Sequence, residues 1–325
     1  MFGLDFIALL ILLLSLAIVL VVTVPLTGAL VRLRANFNPK GLQLDHEGSV
    51  QPHTGPIVTS YFGMLKRVYK IEGVSGLYKG FMPTLLSTVL ITLFVIVFFD
   101  ATTIARHDAY SAPPTGVLGT LAFATMYMLV SLPATIITYR AITTPHKLPW
   151  VNPMVSLRVL LTPTERRRPY ILYLTPGLIA AQLAHIAYVT IVLQGSRRLL
   201  LPQLQSGEAF PTEDVSAWRI VLFVFMAALS TAALCPLEVI TTRLAIQRNH
   251  ASAEYNSVAQ EVEGDAEETV EYAGAEEDVI GLRSERDPYL GLVDCAKRII
   301  DEEGIRTLYR GWWITLLGGV GRPVA

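Results

Sequence analysis

Cys235-Pro236-Leu237-Glu238-Val239-Ile240-Thr241-Thr242-Arg243 closes a long apolar run, and its pattern occurs twice earlier in the chain. The first run ends Val24-Pro25-Leu26-Thr27-Gly28-Ala29-Leu30-Val31-Arg32. A later run ends Leu132-Pro133-Ala134-Thr135-Ile136-Ile137-Thr138-Tyr139-Arg140. Each time a proline near the end of an apolar helix is followed seven residues later by arginine, and the prolines are 108 and 103 residues apart. One such coincidence means little, because proline is tolerated in membrane helices and arginine often flanks them. Three at near-equal spacing mark an internal repeat.

The second halves repeat as well. Glu72-Gly73-Val74-Ser75-Gly76-Leu77-Tyr78-Lys79-Gly80 matches Glu303-Gly304-Ile305-Arg306-Thr307-Leu308-Tyr309-Arg310-Gly311 at five identical positions plus a Lys/Arg exchange. Each follows an amphipathic stretch, Tyr61 to Ile71 in one copy and Tyr289 to Ile300 in the other. The middle copy is eroded. Its Glu165 lies eleven residues before Pro176, as Glu72 lies eleven before Pro83, but the Gly and Tyr-Lys-Gly positions are lost. We divide the chain into copies at 1–106, 113–200 and 216–325, the last carrying an acidic insertion at 251–287.

Composition sets the medium. Of 325 residues, 52% are hydrophobic and 16% charged, against roughly 25% charged in soluble domains. A crossing helix needs about 20 apolar residues. Uncharged runs of that order lie at Phe6–Val31, Phe81–Phe99, Gly116–Tyr139, Leu174–Gly195 and, next to the third motif, Ile220–Leu237. A sixth, Trp312 to Val320, is too short to cross, and we expect either an incomplete chain or a shortened helix. The N-terminus has neither an Arg-rich presequence nor the basic start of a secretory signal, so the first run is read as a retained helix. Cys235 and Cys295 have neither metal nor disulfide spacing. The predicted architecture is an all-α membrane protein: a six-helix bundle of three pseudo-symmetric two-helix repeats with short surface helices.

These motifs resemble those of the mitochondrial carrier family, which consists of three copies of Pro-x-acid-x-x-base-x-base followed by acid-Gly-x4-aromatic-base-Gly. The resemblance covers nearly the whole chain, strongest in copy three and weakest in copy two. It implies a multi-pass mitochondrial membrane protein, inner membrane favoured and outer allowed, that moves a small solute without being an enzyme. It assigns Pro25, Pro133 and Pro236 as kinks, and Glu72, Gly73, Tyr78, Lys79, Gly80, Glu303, Gly304, Tyr309, Arg310 and Gly311 as repeat signature. The family's loop-side ion-pair gate would draw on acid positions that here hold Thr27, Thr135 and Glu238, and on base positions that hold Leu30, Thr138 and Thr241. A full ring is therefore excluded. We expect Glu238 with Arg32, Arg140 and Arg243 to form a residual gate, or the arginines to snorkel at the interface.

Substrate-contact positions implied by the resemblance fall on Ser87, on Ala180 and Ala181, and on Gly318, with Gln182 and His185 as nearby polar groups. None is a fixed charge. Since an unpaired ion at mid-membrane costs at least about 2.5–3.5 kcal/mol, any substrate is expected to be neutral or weakly polar. The thin gates equally suit a carrier fold that transports nothing and serves as an outer-membrane scaffold, such as a mitochondrial fusion or morphology factor.

The segment from Glu254 to Asp287 holds twelve acidic residues and two arginines, a composition expected to be disordered and solvated. It is a tolerated extension or a dock for a protein partner. Arg166-Arg167-Arg168 adjoins a membrane helix and suits anionic lipid such as cardiolipin, not nucleic acid. No motif for a metal, cofactor or catalytic nucleophile occurs.

Overall fold

The computed structural model describes residues 2–40, 43–44, 50–51, 58–98, 116–149, 152–201, 216–250, 273–274, 277–285 and 287–321. Among these the chain is helical apart from one short antiparallel ladder, β1 (Gln43–Leu44) and β2 (Val50–Gln51), with Gln43 opposite Gln51. Copy one contains α1 (Phe2–Ala35), α2 (Tyr61–Leu77) and α3 (Phe81–Phe98). Copy two contains α4 (Gly116–Thr143), the short α5 (Pro153–Leu160) and α6 (Pro163–Arg167), and α7 (Leu178–Tyr188). From α7 a π-helical turn, Val189–Gln194, leads into α8 (Gly195–Leu200). Copy three contains α9 (Ala217–Ile246), α10 (Leu292–Glu302) and α11 (Trp312–Gly321).

Among the described residues four stretches are long and apolar enough to cross a membrane: Leu14–Ala35, Gly116–Thr143, Leu178–Leu200 and Ala217–Ile246. The run expected at Phe81 is the apolar helix α3, which meets α2 at a 50° bend, and Tyr61–Leu77 with Phe81–Thr92 passes the same test as a bent pair. Large apolar side chains on these helices stay uncovered, Leu118 at 81% and Val221 at 68% exposure. Apolar exposure on that scale fits contact with lipid, not water.

The chain divides into two compact units. One comprises Met1–Val89, Pro133–Leu172 and Ala245–Asp287, and the other Leu90–Leu132, Tyr173–Leu244 and Pro288–Ala325. In the first, α1 packs along α2. In the second, α10 packs against α7. The glycines after the signature acids have a geometric role. Gly73 takes φ 68° inside α2, and Gly304 takes φ 94° at the exit from α10. That region is open to glycine and costly for other residues, so it turns the chain sharply after the acid.

The motif prolines inside α1, α4 and α9 each leave one carbonyl open, and the fold closes all three in the same way. Proline lacks an N–H, so the carbonyl four residues earlier loses its helical donor. Those carbonyls belong to Val21, Leu129 and Ala232. Each receives a tyrosine hydroxyl: Tyr78 Oη donates to Val21 O at 3.2 Å, Tyr173 Oη to Leu129 O at 3.0 Å, and Tyr309 Oη to Ala232 O at 3.3 Å. The sequence reading had the signature tyrosine lost in copy two. Tyr173 corrects it. It stands eight residues after Glu165 instead of six, so an alignment by spacing misses it.

Substituting Tyr173→Phe is expected to lower the stability of the detergent-purified chain by about 1 kcal/mol, as for Tyr78→Phe and Tyr309→Phe, since each orphans one carbonyl. Thermal unfolding reads this. A shift for the other two with none for Tyr173 would refute the copy-two equivalence.

Candidate functional site

Three arginines lie in or near the last turn of the proline-containing helices, and all are buried: Arg32 is 1% exposed, Arg140 3% and Arg243 2%. That excludes snorkelling. Each meets the signature carboxylate of its own copy. Arg32 Nη2 donates to Glu72 Oε2 at 3.0 Å and to the Gly76 carbonyl at 2.9 Å. Arg140 forms a two-pronged pair with Glu165, at 2.6 and 2.9 Å. Arg243 does the same with Glu303, its Nη2 at 3.0 Å from Oε2. The sequence reading set these arginines against Glu238 and missed their partners, because Arg and Glu stand 40, 25 and 60 residues apart.

Lys79 adds a second cation to Glu72 and also donates to the Thr144 carbonyl at 2.9 Å. Arg310 stands correspondingly 3.4 Å from Glu303. Copy two replaces this second cation with backbone donors. A capping box on α6 gives Glu165 the Thr162 N–H at 3.1 Å, and Asn249 N–H reaches it at 3.0 Å from the segment after α9. Burial pushes the Glu165 carboxyl up, but the Arg140 guanidinium and these N–H groups outweigh it and hold it below the ordinary carboxylate value.

The acidic insertion is only partly as expected. Residues 251–272 lie outside the described residues, but 277–285 are packed on the first unit instead of solvated. Val279 and Ile280 are buried. Phe37 N–H donates to Gly281 O at 2.8 Å, and Gly281 N–H returns to Asn36 Oδ1 at 3.0 Å. Arg67 holds the Val279 and Asp278 carbonyls, each at 3.1 Å. Glu285 ties the segment back to the end of α9, through His250 at 2.6 Å and Arg248 at 3.4 Å.

In the second unit a polar cluster joins three helices within the apolar part of the chain. Glu238 on α9 accepts the Thr315 hydroxyl of α11 at 2.6 Å, and its other oxygen lies 3.4 Å from His185 Nε2 on α7. Sequence reasoning placed His185 and Glu238 at separate levels. The chain brings them together, and Thr315 was missed altogether. The other expected contact positions are less promising. Ser87 Oγ donates to Thr84 O of its own helix, Ala181 is fully buried, Gln182 is half-buried, and Ala180 and Gly318 are exposed. Hydroxyls at gate positions also turn inward on their own helices, Thr27 to Thr23 O at 2.8 Å and Thr241 to Leu237 O at 2.7 Å. Among the described residues no group of His, Cys, Asp and Glu is placed to hold a metal.

The family model described as mitochondrial carrier protein matches residues 9–105 and 216–323, more than half of the chain. The middle third lies outside both matches. No protein in the curated set matches at a significant level.

The insertion's anchor is pH-dependent. The His250 hydrogen bond, with help from the Arg248 charge, holds the Glu285 carboxyl below its ordinary value of 4.5 against the effect of burial. A lowered folded value means the anchoring is complete above pH 4.5 and fades as pH falls through the lowered value. Amide exchange at Val279 and Ile280 is therefore expected to stay protected from neutral pH down to about 4.5 and to quicken below it, whereas Glu285→Gln loosens both already at neutral pH. Equal protection in Glu285→Gln would remove this residue as the anchor.

Proposed function

The chain belongs to the mitochondrial carrier family, and from that premise we propose that it carries a small neutral or weakly polar solute across the inner membrane. As a carrier-type protein it is a multi-pass mitochondrial membrane transporter, associated with lipid and a small-molecule solute. The carrying observation is chemical. Ser87, Ala180 and Gly318 offer no fixed charge to an ionic substrate, and the arginines closest in sequence to the motif prolines are committed to Glu72, Glu165 and Glu303. What is left for a solute is the cluster of His185, Glu238 and Thr315, a set of hydrogen-bonding groups with one carboxylate. Pro25, Pro133 and Pro236 act as the kinks about which each copy bends. Arg166, Arg167 and Arg168 fit an anionic lipid such as cardiolipin, and the acidic insertion fits a basic protein partner.

A non-transporting scaffold of the outer membrane is the second reading. It is favoured by the inward-turned Thr27 and Thr241 hydroxyls, which leave the family's ion-pair gate without its usual charges.

Uptake by liposomes holding the purified chain, over a panel of polyols, amides, amino acids, carboxylates and nucleotides, separates the readings. Saturable uptake of an uncharged solute is expected, reduced about tenfold or more by Glu238→Gln, the loss of ~1.4 kcal/mol of transition-state stabilisation. Uptake confined to nucleotides or carboxylates would overturn the substrate class. Silence from a folded protein would favour the scaffold.

A further inference from the structure

We propose that His185 and Glu238 form a one-proton binding pair inside the membrane-spanning region, and, resting on the transport reading above, that this proton moves with the solute. The geometry is that of a pair awaiting a proton. His185 Nε2 is enclosed and makes no hydrogen bond, yet it lies 3.4 Å from Glu238 Oε1. With the ring proton on Nδ1, the Nε2 lone pair confronts a carboxylate. Adding a proton at Nε2 turns that repulsion into an ion pair. The Thr315 hydroxyl donates to the other carboxylate oxygen and fixes the carboxylate beside the ring.

Net charge supplies the coupling. With one proton bound the pair is neutral overall, whereas without it the pair carries −1. A net charge within lipid is the costly condition, so the loaded pair changes membrane access more readily. Histidine is the side chain whose ordinary protonation equilibrium lies closest to neutral pH. The proton arrives from water on one side, bonds to Nε2, and leaves to water on the other. No other bond forms or breaks.

The other ionisable groups on these helices do not substitute for the pair. On α9, Arg243 is held by Glu303, Arg219 lies over the Trp218 ring, and Cys235 contacts the Arg310 carbonyl. Tyr188 is the one further ionisable side chain on α7, and α11 carries none. Immediately after Tyr188 the helix widens into the π-helical turn Val189–Gln194, an irregularity frequent at functional sites.

The test uses the full-length chain in lipid nanodiscs with isotope-labelled histidine. His185 is identified among the six histidines by the signal missing from His185→Gln. Its titration midpoint is expected to be higher in the wild type than in Glu238→Gln by about one pH unit, a tenfold change in proton affinity. Glu238→Asp, which keeps the charge but withdraws it, is expected to fall between, and covers the case of a Gln variant that does not fold. A His185 midpoint indifferent to both substitutions overturns the pair, whatever the uptake assays give. The second arm traps the pH dye pyranine in liposomes and offers the solute panel above. Proton entry that follows solute uptake supports coupling, and uptake with no proton movement overturns it. A coupled titration with no uptake of any solute keeps the pair and refutes the transport reading instead.

Discussion

Each copy is built around one buried arginine–glutamate pair that ties the end of a proline-containing apolar helix to the segment leading into the next helix. An arginine so enclosed requires a carboxylate, because removing either partner of a buried pair strands a charge and costs about 3–5 kcal/mol. The intervening chain is free to vary by comparison. Glu72 follows Arg32 by 40 residues, Glu165 follows Arg140 by 25 and Glu303 follows Arg243 by 60. Extending a loop from 40 to 60 residues costs only about 0.4 kcal/mol in closure entropy. The pair therefore outweighs the loop, and copy three can host an acidic insertion without losing its register.

A second tie acts next to the proline. The tyrosine hydroxyls on Val21 O, Leu129 O and Ala232 O satisfy the carbonyls that Pro25, Pro133 and Pro236 leave open. Arg–Glu pair and Tyr–carbonyl bond thus hold each of these helices on both sides of its proline. Within that shared frame Glu238 occupies the acid position that holds Thr27 and Thr135 in the other copies, and it alone of the three bears a charge, beside His185 and Thr315.

The repeat itself was legible in the sequence, because Pro-to-Arg spacing and the acid-Gly-x4-Tyr-base-Gly stretch are local patterns. So were the apolar runs, since hydrocarbon imposes a length. The partners of the arginines were not legible: no fixed separation links Arg32, Arg140 and Arg243 to their acids. Tyr173 escaped because its offset from Glu165 differs by two residues from the other copies. His185 and Glu238 lie 53 residues apart on different copies, and only helix packing joins them. Composition also misjudged the end of the insertion, residues 277–285. Its acidity reads as solvated, yet Val279 and Ile280 supply an apolar anchor, and Asn36 and Arg67 satisfy its backbone.

Copy two is where the central claim is most exposed, since it lies outside the stretches matched by the family model. The most direct measurement is a double-mutant cycle there, with Arg140→Met, Glu165→Gln and the two combined, read by unfolding of the purified chain. A buried pair predicts that each single change costs several kcal/mol, on the order of 3–5, and that the double change costs far less than their sum. Additive losses would contradict it, and the chain would then owe its threefold frame to something other than these pairs.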